Sequence, residues 1–156
     1  MTPLIILYVG TAFFAEVIAR LQAHMIRMNV PIRHWLWWMA WMALGIFITL
    51  LAIKSWWAFT ALVGMAGLFS GIFRTRLNQR RGLQWYYMGE QPPPLASIAQ
   101  LVQHNTDAHH VKRSMYDLCF WFVAQRLHIA PVALALTLEV AAAVLGFIIT
   151  NQHIHQ

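Results

Sequence analysis

The chain has 156 residues, of which 60% are hydrophobic and only 10% are charged. A soluble domain of this size carries about 25% charged residues, so this chain lacks the polar material to coat a soluble surface and reads as an integral membrane protein. The net charge of +6, from 11 Lys+Arg against 5 Asp+Glu, fits the basic loops of a membrane protein and not a nucleic-acid partner.

The first segment spans 3–20, with Pro3 tolerated in the first turn. It lacks the positive n-region of a secretory signal and reads as a helix that stays. Its helical pattern continues past the membrane edge. Val17, Ile18, Leu21, Met25 and Met28 keep an apolar face, while Arg20, His24 and Arg27 form a polar stripe. Arg20 can snorkel, and Pro31 ends the helix.

The second segment, 35–53, opens on Trp35, Trp37, Trp38 and Trp41 beside Arg33 and His34. This is an interfacial aromatic belt at a basic edge. Lys54 and Ser55 make a short turn, and Trp56 and Trp57 mark the far interface. The third segment, 57–74, meets Arg74 as its first basic stop. Its 17 apolar residues cover ~25 Å, short of a ~30 Å hydrocarbon core, so the helix should run on at both ends.

A basic loop, 74–128, follows. Arg74, Arg76, Arg80 and Arg81 come first, then Gly82, Gly89 and Pro92, Pro93 and Pro94 as breakers. A short interfacial helix is expected after Pro94, and another over MYDLCFWFVAQ, too short to cross and closed by Arg126. The lone Cys119 permits no intrachain disulfide or cysteine metal cluster and reads as a small buried apolar residue. The fourth segment, 129–150, carries Pro131 in its first turn and Glu139 near its middle.

The basic residues sort by side. Arg20, Arg27, Arg33, Arg74, Arg76, Arg80, Arg81, Lys112, Arg113 and Arg126 share one side, and Lys54 stands on the other. The positive-inside rule then places both termini outside and the large loop in the cytoplasm, with a bacterial inner membrane as the default. The expected fold is all-α: one polytopic membrane domain of four transmembrane helices plus short interfacial helices.

Few constellations suggest chemistry. Gly64, Gly67 and Gly71 put small residues on one ridge of the third segment, with a similar face through Ala135, Ala142, Ala143 and Gly146 on the fourth. Such ridges let helix backbones approach closely, either within one protomer or between copies. Glu16 and Glu139 are the acids within the spans, and each must be paired, hydrated or protonated. Glu16 sits one turn before Arg20, which allows an i, i+4 pair. Glu139 has no local partner. A direct salt bridge is not expected for it, and a hydrogen bond from Thr49, Thr60 or Ser70 is the more economical reading. Arg74, Arg76, Arg80 and Arg81, with Trp85 and the following tyrosines, suit anionic headgroups or an acidic partner.

His104, Asp107 and His110, with His109 adjacent, share a helical face but lack further support as a metal site. His24, His34 and His128 map near one boundary, where a haem is conceivable. No nucleotide loop, GxSxG or paired-carboxylate pattern is present. The expectation is a non-enzymatic membrane subunit or assembly factor without cofactors, with lipids and other membrane subunits or copies of itself as partners. The alternatives are a homo-oligomeric pore, channel or holin-like, lined by Glu139, and more distantly a haem-, pigment- or metal-binding protein.

Overall fold

The computed structural model describes residues 3–28, 34–53, 56–88 and 115–153, with only the backbone described for 34–38, 40–41 and 115–118. All the described regular structure is helical: α1 (Pro3–Arg27), α2 (His34–Ala52), α3 (Ala58–Arg80), α4 (Met115–Leu127) and α5 (Pro131–His153). The helix expected after Pro94, the His104, Asp107, His109 and His110 group, and Arg33, Lys54, Lys112 and Arg113 lie outside the described residues.

Three helices, α1, α3 and α5, are long and apolar enough to cross a membrane, which marks the chain as an integral membrane protein. At ~1.5 Å per residue their 25, 23 and 23 residues cover roughly 35–38 Å, more than a ~30 Å hydrocarbon core. The described apolar stretch of α2, Met42–Ala52, is shorter than a span. The expected extension of the third segment occurs at one end only: α3 runs almost two turns past Phe73 but starts at Ala58, with Trp57 as its N-cap.

Local chemistry sets the helix ends. Past Arg80 the chain turns at Gly82, whose φ of 72° suits a residue without Cβ. The Gly82 N–H donates to Gln79 O at 3.1 Å and the Leu83 N–H to Asn78 O at 3.0 Å, the paired bonds of a Schellman motif. His128 takes the same left-handed role after α4, at φ 54°, with the Ile129 N–H donating to Ala124 O at 3.1 Å. Pro131 opens α5 where its missing N–H costs nothing, and Ala130 O accepts from the Leu134 N–H at 3.1 Å.

The chain divides into two compact units, residues 1–85 with 138–156, and residues 86–137. In the first unit α1 and α3 run parallel. Leu4 packs with Ala58 and Ala61 at one end, the Phe14 and Phe69 rings lie 6.3 Å apart midway, and Arg27 Nη2 donates to Arg80 O at 2.9 Å at the other end. The end of α2 runs against them: Ile53 joins the Leu4 cluster, and Thr49 Oγ1 lies 4.0 Å from Met65 Sδ. The 138–153 part of α5 is antiparallel to α3, with Thr150 beside Thr60 at one end and Glu139 beside Arg74 at the other.

In the second unit Trp121 Nε1 donates to Met88 O at 3.2 Å, and the Arg126 guanidinium lies 5.2 Å from the centre of the Phe122 ring. Cys119 is exposed on α4, which corrects its reading as a buried residue. A short helix with one covered side leaves its opposite positions open.

Candidate functional site

The seam between α3 and α5 is built from absent side chains. A Cβ on Gly67 would lie 2.6 Å from Glu139 O and 2.9 Å from Ala142 Cβ. A Cβ on Gly146 would lie 2.6 Å from Gly64 Cα and 2.7 Å from Thr60 O. These separations are closer than real Cβ atoms tolerate, so the two backbones touch only because both helices carry glycine there. Lipid gives no hydrophobic drive for helix association, and such close approach supplies dispersion instead. The ridge of Gly64 and Gly67 is therefore filled by α5 of the same chain. Gly71 differs: a Cβ there would sit 3.5 Å from Glu139 Oε2, an ordinary contact.

Tyr8 of α1 closes the seam from the side. Its hydroxyl donates to Ala143 O at 3.3 Å, and its ring meets Phe147 edge-on at 5.1 Å. At the far end, Thr60 Oγ1 and Thr150 Oγ1 are 2.7 Å apart, and Thr60 also donates to Trp57 O at 2.8 Å. The Trp57 and His153 rings stack there at 3.9 Å, inclined by 7°.

The opposite end of the seam holds charge. Glu139 is buried, its side chain 2% exposed, and it pairs with Arg74 of α3, whose side chain is 13% exposed. The expectation that Glu139 lacks a salt bridge is thereby corrected. Two of the three hydroxyls proposed for it are used otherwise, Thr49 donating to Gly45 O at 2.7 Å and Thr60 to Trp57 O. The spacing explains the pairing. Gly64, Gly67, Gly71 and Arg74 follow one face of α3 at steps of three and four, and Glu139, Ala142, Ala143 and Gly146 follow one face of α5. Antiparallel packing of the two small ridges brings their charged ends together. Glu139 lies ~12 Å from the start of α5 and Arg74 ~9 Å from the end of α3, so both sit at a similar depth. The sequence carried this signal in the shared face of the ridge and Arg74. It was obscured because Arg74 reads as the stop of its own segment.

A second cluster forms where α1 lies along α3. Glu16 pairs with Arg20 of its own helix, Nε to Oε1 at 3.0 Å, the i, i+4 contact its spacing allows. It also pairs with Arg76, Nε to Oε2 at 3.3 Å, and with Arg80. Arg76 Nη1 further donates to Gln79 Oε1 at 3.1 Å. Of the residues expected to meet headgroups or a partner, Arg74, Arg76 and Arg80 thus hold the two intramembrane acids. Arg81 caps α3, and Trp85 is exposed while its carbonyl accepts from Asn78 Nδ2 at 3.2 Å. Buried Gln22 on α1 is a polar residue that the apolar-face reading passed over.

Among the described residues no three His, Cys, Asp or Glu side chains gather as a metal site. Comparison with protein families, curated proteins and solved structures finds no match for this chain.

Proposed function

We propose that the chain is a non-enzymatic, four-span subunit or assembly factor of a larger membrane complex, working through its packed helix surfaces. The observation that carries this reading is how the polar and small residues are spent. The glycine ridge closes on α5, and both acids are held by arginines of the same chain. Apolar side chains face outward along the helices: Ile6, Val9 and Phe13 on α1, Phe47, Leu50 and Leu51 on α2, and Phe59 on α3. Such a bundle offers surfaces to lipid and to partner helices. The pore alternative needs a wet, titratable Glu139, and its burial against Arg74 removes that support.

The fourth span in this reading is α2. The parallel run of α1 and α3 requires the chain between them to return. The 19 residues of α2 reach ~28 Å, and the helix ends with Ile53 beside Leu4 and Ala58. Charge sets the orientation. Arg20, Arg27, Arg74, Arg76, Arg80 and Arg81 lie at one end of this bundle, and the positive-inside rule puts that end in the cytoplasm of a bacterial inner membrane. The Pro3 end of α1 and the His153 end of α5 are then outside.

Native purification in mild detergent, with identification of everything that stays bound, tests the function. A membrane-protein partner present in fixed ratio is expected. A pure homo-oligomeric ring that conducts ions in liposomes would overturn the proposal.

A further inference from the structure

Three guanidinium groups meet one carboxylate at Glu16. An ionised carboxylate neutralises one cation, so the cluster keeps a surplus of two positive charges. Arginine carries five N–H donors, and Arg20 and Arg76 each direct only Nε at Glu16. Their side chains are 66% and 54% exposed, and apart from the Arg76 Nη1 donor given to Gln79 Oε1 the remaining donors are open to a ligand. Depth then narrows the ligand. Arg20 is ~26 Å from the start of α1 and Arg76 ~27 Å from the start of α3, close to the far edge of a ~30 Å hydrocarbon core. Exposed apolar side chains of α1, Val17 and Leu21, flank Arg20 in sequence and keep the site beside acyl chains.

We propose that Arg20, Arg76 and Arg80, drawn together by Glu16, form a binding site for the phosphate of an anionic phospholipid headgroup. Glu16 sets the spacing and orientation of the guanidiniums, and the phosphate oxygens accept from the open donors of Arg20 and Arg76. Planar guanidinium groups suit phosphate through paired N–H donors. The surplus charge favours phosphatidylglycerol-like lipids over zwitterionic ones. The inference rests on the proposed membrane orientation, which cysteine labelling tests separately.

The test uses the full chain in nanodiscs of phosphatidylcholine doped with phosphatidylglycerol, with the bound lipid read by native mass spectrometry after gentle release. Each arginine replaced by glutamine should weaken phosphatidylglycerol retention about fivefold, so that R20Q/R76Q loses ~25-fold. Arg80 still holds Glu16 in that variant, and an unchanged melting temperature verifies its fold. The control R27Q/R81Q removes the same charge from the same end at residues that do not pair with Glu16, Arg27 bonding only the backbone carbonyl of Arg80, and its retention should fall less than fivefold. Equal losses in the two double variants, or none in R20Q/R76Q, would overturn the site. Inorganic phosphate separates the sources. Failure of millimolar phosphate to displace the lipid supports a headgroup site. Tight binding of phosphate alone, or displacement of the lipid by a co-purified acidic protein, would overturn it.

Discussion

Breaking the Arg74–Glu139 pair is the sharpest perturbation of this bundle. Glu139→Gln keeps the shape of the side chain and removes its charge, leaving the Arg74 guanidinium without its carboxylate. Removing one partner of a buried ion pair costs about 3–5 kcal/mol in protein interiors. Arg74 lies ~9 Å from the end of α3, and its long stem can lift part of the charge toward the headgroups. The expected loss for E139Q is therefore nearer 2–3 kcal/mol on that scale. R74Q should cost about 3 kcal/mol, because the 2% exposed Glu139 side chain is too short to escape. In R74Q/E139Q two neutral amides occupy the site and can hydrogen-bond, so the double variant should lose only ~1 kcal/mol. The double-mutant cycle then gives a coupling of roughly 4–5 kcal/mol, read by equilibrium unfolding in a defined mixture of mild detergent and SDS. Additive single losses, or singles each below ~0.5 kcal/mol, would show that the two side chains do not stabilise one another.

Gly67→Ala and Gly146→Ala should each destabilise by about 1–3 kcal/mol, since each new Cβ would fall 2.6 Å from backbone of the facing helix. Gly10→Ala and Gly45→Ala should be neutral or slightly stabilising in the same unfolding assay, because nothing lies within 4 Å of their Cβ positions. Thr150→Val removes the hydroxyl pair with Thr60 and should cost ~0.6–1.7 kcal/mol, within the range of such bonds between membrane helices. In a Cys119→Ser background, cysteines at the exposed positions Gln79 and Gln152 should label from opposite faces of oriented vesicles. Labelling from the same face would refute the four-span arrangement.

The helices were legible because hydropathy and their ends are local. Pro3, Pro131 and Gly82 act on the residues beside them, and they mark helix boundaries here. The Glu16–Arg20 contact was equally legible, since an i, i+4 spacing fixes both groups on one helix. Glu139 was not. Its partner lies 65 positions away, and the choice between Arg74 and a hydroxyl depends on which helix faces which. The glycine ridge contained that information, because Arg74 continues it by one turn. Reading Arg74 as a membrane stop and a headgroup contact hid the continuation. The pairing of the basic residues was hidden for a related reason. Sorting charges by side assigns an orientation but does not reveal that Arg76 and Arg80 reach across to Glu16.

The separation of Arg74 and Glu139 in sequence also has a consequence in time. Arg74 leaves the ribosome 65 residues before the carboxylate that neutralises it. At about 5–20 residues per second that interval lasts roughly 3–13 s. For those seconds α3 stands in or beside the bilayer without the Glu139 carboxylate and with an open glycine groove. Insertion is thus ordered by synthesis: α1 can satisfy Arg76 and Arg80 as soon as α3 arrives, whereas the seam stays incomplete until the last helix emerges. A chain stalled before α5 would present that open, charged groove to whatever quality-control machinery surveys unassembled helices.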